Sequence, residues 1–156
     1  MKTINLFFLF SLCSTFFMAQ NFNLRVKSGD AELDASLDHI NVKAKADLPG
    51  FKSEIALEFG VSEQKIDKMI NDNISPADVF MTFQVAELSK KEPETVLATF
   101  TKNTDKGWGA LAKELGIKPG SAEFHALKGK AKNKKDKGEK GKGNGKGNGE
   151  GKGKNK

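Results

Sequence analysis

The sequence predicts an all-α domain, a small bundle of five to six short helices around a buried central helix, followed by a disordered C-terminal tail. Apolar residues between positions 30 and 127 recur three and four residues apart, the period of amphipathic helices. N-capping residues and glycine stops divide this region at short intervals. A strand-like alternation occurs only in residues 21–29, and no partner strand is evident, so we expect an extended arm there.

The central helix is predicted over residues 75–88. Ser75 is a favourable N-cap, Pro76 suits the first helical position, and Asp78 complements the positive end of the helix dipole. Apolar residues occur on most sides of this helix rather than on one face. Such a helix requires neighbours on several sides, and we therefore expect the rest of the domain to pack around it.

Three helices are predicted before the central one. The first follows a turn and cap at residues 28–30, the second is capped by Asp47 and stopped by Gly60, and Ser62 caps the third. Their spacing predicts these buried residues: Leu33, Leu37, Ile40, Ala44, Leu48, Phe51, Ile55, Phe59, Ile66, Met69 and Ile70.

Further helices are predicted after the central one. Pro93 begins the next, a helix over residues 107–115 ends at Gly116, and Ser121 caps a last short helix. The inward residues are expected to be Val96, Leu97, Phe100, Trp108, Leu111, Ala112, Leu115, Phe124 and Leu127. The predicted helical domain spans residues 30–127.

Residues 1–20 have the pattern of a signal peptide. Lys2 gives a positive start, residues 4–17 are mostly apolar, and a small residue, Ala19, lies near a plausible cleavage point. The pattern predicts a secreted or periplasmic protein without a transmembrane helix in the mature chain; an uncleaved anchor is the alternative. Cys13 is the only cysteine, and because Leu12 before it is not small, lipid attachment is disfavoured.

The charge is divided unevenly along the chain. Residues 128–156 contain twelve lysines and three acidic residues, whereas residues 21–127 contain 17 acidic and 13 basic residues. The pI near 9.3 therefore belongs to the tail and not to the domain. A mildly acidic domain argues against a folded surface for nucleic acid.

The tail, residues 128–156, is composed mainly of lysine, glycine and asparagine, and this composition predicts disorder. Lysine without arginine or aromatic residues favours contact with anionic polymers or surfaces without sequence specificity. Two other interpretations remain: a solubilising tail, or one that folds back loosely on the acidic domain. The candidate polyanion-binding residues are Lys128, Lys130, Lys132, Lys134, Lys135, Lys137, Lys140, Lys142, Lys146, Lys152, Lys154 and Lys156.

The corner between the second and third helices has the apolar spacing of a DNA-binding helix-turn-helix. The residues that would face the groove are net negative, which opposes attraction to phosphates. We therefore interpret the corner as structural. These groove-facing positions are Ser62, Glu63, Gln64, Asp67 and Lys68.

A small ligand-binding or enzymatic domain with a site near Trp108 and His125 is the first alternative function, and a helix-turn-helix DNA-binding protein is the second. Trp108 between two glycines is more often a buried tryptophan with close backbone approach than an exposed stacking platform. His125 has no partner residues at a metal-binding spacing, and His39 lies on the polar side of the first helix. No motif for a catalytic residue, a cofactor or a metal is recognised, and we expect none of the three.

Residues 107–128 carry the segments Gly-Trp-Gly, Leu-Gly-Ile, Pro-Gly-Ser and Glu-Phe-His. This pattern resembles that of small exported bacterial proteins of unknown function with basic or low-complexity tails. The resemblance extends more weakly over residues 37–100. It implies an exported bacterial helical domain, and it implies no activity and no catalytic residue.

Overall fold

The computed structural model describes residues 28–103 and 105–140, with side chains up to residue 134. These residues form helices and turns without a strand, so the predicted all-α class is confirmed. Seven helices are present in this part of the chain, one central helix and six around it, which agrees with the predicted five to six around a central helix. They are α1 (Ala31–Ala46), α2 (Leu48–Phe59), α3 (Glu63–Asn71), α4 (Pro76–Ser89), α5 (Pro93–Lys102), α6 (Gly107–Glu114) and α7 (Ala122–Lys140).

The predicted caps begin and end these helices. Asp30 accepts a hydrogen bond from the Leu33 amide at the start of α1, and Asp47 accepts one from Gly50 at the start of α2. Gly60 ends α2 at φ 64°, a left-handed conformation that glycine adopts without a Cβ penalty. The helix boundaries therefore follow from local hydrogen bonding that the sequence encodes directly.

Helix α4 lies at the centre of the bundle and packs against each of the other six helices. Every side chain from Pro76 to Ala86 is buried except that of Asp78, which is half-buried. The Phe59 ring of α2 packs edge-on against Phe80 and stacks on Phe83, with centroid distances of 6.1 Å and 5.6 Å. The predicted role of α4 as the central helix is confirmed.

Helix α7 extends beyond the predicted end of the domain at Leu127 and continues to Lys140. Leu127 and Ala131 are buried one turn apart, and the next inward side chain is Lys134. Lysines of residues 128–134 meet carboxylates of the domain, so this segment packs on the helical body, whereas the sequence predicted a disordered tail from residue 128.

The predicted signal peptide at 1–20, most of the extended arm at 21–29 and tail residues 141–156 lie outside the described residues. Within residues 28–103 and 105–140, no helix combines the length and apolar character needed to cross a membrane.

Candidate functional site: the lysines of helix α7

The lysine-bearing side of α7 faces an acidic surface of the bundle. We define this acidic surface by the carboxylates of Asp30, Glu32, Glu54, Glu58 and Glu87, which come from α1 with its N-cap, from α2 and from α4. Helices α1, α2 and α4, all distant from α7 in sequence, therefore place negative charges along it.

Lys128 is the first of these lysines. Its ammonium group lies 2.8 Å from Asp30 Oδ2 and 3.2 Å from Glu32 Oε2. Asp30 also caps α1, so this ion pair joins the start of α1 to α7. Positions 30 and 128 are 98 residues apart, which makes the contact one of the longest in sequence within the fold.

The next two lysines make looser contacts. Lys130 lies 3.4 Å from Glu87 Oε2 and 4.0 Å from Glu58 Oε1, with its ammonium 5.9 Å from the Phe59 ring centroid. Lys132 lies 3.4 Å from Glu32 Oε1, and its side chain is 59% exposed. Ion pairs this exposed are screened by salt and contribute at most about 1 kcal/mol each.

Lys134 differs from the others because its side chain is only 4% exposed. Its ammonium group pairs with Glu58, lies 3.4 Å from Glu54 Oε1, and sits 5.4 Å from the Phe80 ring centroid. The aliphatic stem covers apolar surface while the charge is shared between two carboxylates and an aromatic face. Lys134 is therefore the most strongly held lysine of the set.

The pKa values of the acidic surface reflect this pairing. Hydrogen bonding to Lys128 lowers the pKa of Asp30 and of Glu32 below their ordinary values. Burial raises the pKa of Glu54, but the charges of Lys134 and Lys43 outweigh it and leave this pKa lowered. The same hydrogen bond to Asp30 raises the pKa of Lys128. The ionised forms of both partners are thus favoured in the docked state.

The structure brings together four of the twelve predicted polyanion-binding residues, and it pairs all four internally. Lys128, Lys130, Lys132 and Lys134 contact the domain. Sequence reasoning missed their carboxylate partners, although the spacing of Leu127 and Ala131 does continue the helical period past the predicted end. The other eight candidates fall outside the described side chains: Lys135, Lys137, Lys140, Lys142, Lys146, Lys152, Lys154 and Lys156.

Trp108 is buried, as predicted, with 1% of its surface exposed. Its indole stacks on Phe100 at a centroid distance of 4.7 Å, and its Nε1–H donates to Asp78 Oδ1 at 2.7 Å. The Gly109 amide donates to the Ser28 carbonyl oxygen, and a Cβ at position 109 would clash with that oxygen. Because the indole is enclosed, it cannot stack on a ligand, and its hydrogen bond joins α6 to the start of α4.

Asp78 is a half-buried carboxylate at the start of α4. Burial raises its pKa, although hydrogen bonds from the Ser75 hydroxyl and the Trp108 indole partly oppose that rise. The Ser75 Oγ is 2.6 Å from Asp78 Oδ2 and also accepts from the Asp78 amide. All of these partners are structural groups of α4 and α6, so Asp78 connects two helices.

The described residues show no arrangement that supports a ligand site near Trp108 and His125 or DNA binding at the α2–α3 corner. His125 is exposed on α7, and neither it nor Trp108 lines the described grooves of about 500 Å³ beside α5 and about 340 Å³ between α2 and α4. At the α2–α3 corner, Asp67 pairs with Lys52 at 2.7 Å. Asp67, one of the residues that would face DNA, is thus a carboxylate held against Lys52 of α2.

Within residues 28–103 and 105–140, no group of three or more histidine, cysteine or acidic side chains is arranged to hold a metal ion. The carboxylates of the acidic surface are instead paired with lysine ammonium groups.

Comparisons with known protein families, with curated proteins and with solved structures find no match for this chain. The charge arrangement of α7 and the acidic surface is therefore the strongest functional indication that the molecule offers.

Proposed function

We propose that this protein is an exported, non-catalytic interaction protein whose lysine-rich C-terminal segment contacts anionic polymers or surfaces. The supporting observation is the number of lysines relative to their partners. Four lysines of α7 meet carboxylates of the acidic surface, and eight more follow them in residues 135–156 with only three acidic residues. This excess of positive charge would attract polyanions without reading a sequence.

The proposed location rests on the signal-peptide pattern of residues 1–20 and on the resemblance of residues 107–128 to small exported bacterial proteins. In a secreted or periplasmic setting, the available polyanions are lipid headgroups, cell-wall polymers, extracellular DNA and acidic proteins. They share dense negative charge, which lysine recognises as a point charge rather than through bidentate geometry. Mass spectrometry of the mature N-terminus tests cleavage of the predicted signal peptide, and a chain that retains Met1 would contradict cleavage and favour the uncleaved anchor.

The binding test uses the full chain with the five lysines after Lys140 changed to glutamine. Affinity for a DNA duplex, for vesicles of anionic lipid and for cell-wall material is measured at several salt concentrations. The substituted chain should bind more weakly and with a shallower dependence on salt, because each phosphate contact on duplex DNA adds roughly 0.9 to the logarithmic salt slope. The changed positions are Lys142, Lys146, Lys152, Lys154 and Lys156.

A matched control removes the same amount of positive charge from the helical domain. Five of its exposed lysines are changed to glutamine, and we expect a much smaller loss of affinity. Equal losses in the two variants would show that net charge alone governs binding and would contradict a role for the tail. The control positions are Lys45, Lys68, Lys102, Lys113 and Lys118.

A further inference from the structure

The lysines that hold α7 to the bundle are the same chemical groups that a polyanion would bind. Lys128, Lys130 and Lys132 each lie within 3.4 Å of a carboxylate oxygen of the acidic surface. An ammonium group that is already paired in this way gains little from a phosphate until it leaves its carboxylate. Docking of α7 and binding of a polyanion therefore compete for one set of charges.

Apolar packing holds the lysine-bearing part of α7 only weakly. Leu127 and Ala131 are its buried apolar residues. Gly129 lies between them, and a Cβ added there would meet no atom within 4 Å. The next inward position is the charged side chain of Lys134. Beyond Leu127, the docked state therefore depends mainly on ion pairs, and three of the four paired lysines are exposed enough to be screened by salt.

Residues 128–134 also have little tendency to remain helical once they leave the bundle. Gly129 is unfavourable in a helix interior by about 1 kcal/mol relative to alanine. Lys128 and Lys132 are four residues apart, as are Lys130 and Lys134, and like charges at this spacing repel. Release of this segment from the acidic surface is therefore also its unfolding.

We propose that α7 is a releasable helix whose docking on the acidic surface opposes polyanion binding. An anionic polymer withdraws Lys128, Lys130 and Lys132 from their carboxylates first, and the enclosed Lys134 last. The docked state keeps the affinity low, because only the released fraction of molecules presents all of these lysines. The inference rests on the proposed function, since it describes how that same polyanion contact is regulated.

The decisive variant changes no charge. Gly129→Ala favours the docked helix over the released, unfolded segment, and a Cβ at this position meets no atom within 4 Å. Polyanion affinity should fall by about three- to fivefold, the factor that corresponds to the helix propensity difference. Thr101→Ala, an exposed substitution on α5 that also raises helix propensity, is the matched control and should leave the affinity unchanged.

A second variant moves the affinity in the opposite direction. Glu58→Gln removes the main partner of Lys134, so it favours release and should strengthen polyanion binding. Glu63→Gln makes the same change in net charge at an exposed position on α3. If Glu58→Gln has no larger effect than Glu63→Gln, the acidic surface does not restrain α7 and the proposal is overturned.

Hydrogen exchange of the full chain reports on the release itself. With an excess of a short DNA duplex, or of long-chain polyphosphate in a parallel arm, amides of residues 127–134 should exchange faster while those of α4 keep their protection. Binding with unchanged exchange in α7 and unchanged affinity in Gly129→Ala would overturn this inference and leave the proposed function intact. Failure of the chain to bind either polymer would overturn both.

Discussion

Helices α4 and α7 are held in the same bundle by different forces. Helix α4 packs against six neighbours largely through apolar side chains, whereas residues 128–134 of α7 are held by lysines that reach carboxylates on α1 and its N-cap, on α2 and on α4. The burial of α4 depends on its own composition. The docking of α7 depends on partners as far as 100 residues away, and such partners cannot be found by local inspection.

This difference predicts how each helix responds to its surroundings. Hydrophobic burial does not weaken with moderate salt, whereas the attraction between exposed charges falls as salt shortens the Debye length, from about 10 Å at 0.1 M to about 3 Å at 1 M. Conditions that act on charge should therefore affect α7 selectively. Substitutions that remove apolar volume should act most strongly on α4.

The largest effect is expected from Phe80→Ala in α4. Phe80 is fully buried, contacts Phe59 edge-on and lies beneath the Lys134 ammonium. Its removal should lower the free energy of unfolding by about 3–5 kcal/mol, a value typical of phenylalanine deleted from a core. Urea unfolding measures the change, and Leu57→Ala, at a side chain 83% exposed, should cost less than about 0.5 kcal/mol. A loss below about 1 kcal/mol for Phe80→Ala would contradict the central position of α4.

Trp108→Phe should have the next largest effect. It retains an aromatic ring beside Phe100 but removes the hydrogen bond to the half-buried Asp78 carboxylate. We expect a loss of about 2 kcal/mol, the range for a hydrogen bond to a charged group. A double-mutant cycle with Asp78→Asn isolates this bond, and purely additive losses would show that the indole and the carboxylate are not coupled.

Changes in the α7 lysines should be smaller and graded by burial. Lys134→Gln leaves Glu54 and Glu58 without their shared partner, and because these carboxylates are partly exposed we expect a loss of about 1–2 kcal/mol. Lys132→Gln removes a largely exposed charge and should cost less than about 0.5 kcal/mol. Urea unfolding of the two variants tests the order, and equal losses would show that Lys134 is not specially held.

Acidification should change the stabilising contributions of the α7 ion pairs and of Asp78 in α4 in opposite directions. The lowered pKa values of Asp30, Glu32 and Glu54 mean that their stabilisation is present above about pH 4 and is lost as the pH falls further. The raised pKa of Asp78 acts in the opposite sense, because the folded state takes up its proton more readily than the unfolded chain.

Urea midpoints measured from neutral pH downward test this sign. The Asp78 contribution should increase stability as the pH falls toward about 4, and Asp78→Asn should remove that increase. Below that pH, the amides of α7 should lose protection as the acidic surface is protonated. If the urea midpoints of the wild-type and Asp78→Asn chains depend on pH in the same way, the raised pKa of Asp78 is contradicted.

Sequence reasoning predicted the parts of the fold that depend on local signals. The caps at Asp30, Asp47 and Ser75, the glycine stop at Gly60 and the burial of Trp108 all follow from neighbouring residues. The apolar character of α4 likewise predicts its central position. These signals act within a few residues, so a single sequence is enough to recognise them.

The candidate site was less predictable because it depends on distant pairs. The composition of residues 128–134 predicts disorder when considered alone, and their order comes from carboxylates on other helices. The Trp108–Asp78 bond spans 30 residues and has no local signature. Gln84 is fully buried in α4, and neither of its side-chain polar atoms has a hydrogen-bond partner among the described residues. Buried polar groups are usually hydrogen-bonded, so the sequence did not predict burial of this side chain.

Residue-level hydrogen exchange of the unmodified full chain at low and high salt tests the difference between the two helices most directly. We predict that amides of residues 127–134 in α7 lose protection as salt is added, while amides of α4 keep theirs. Equal responses of the two helices, or protection of α7 that does not change with salt, would contradict docking of α7 through ion pairs to the acidic surface.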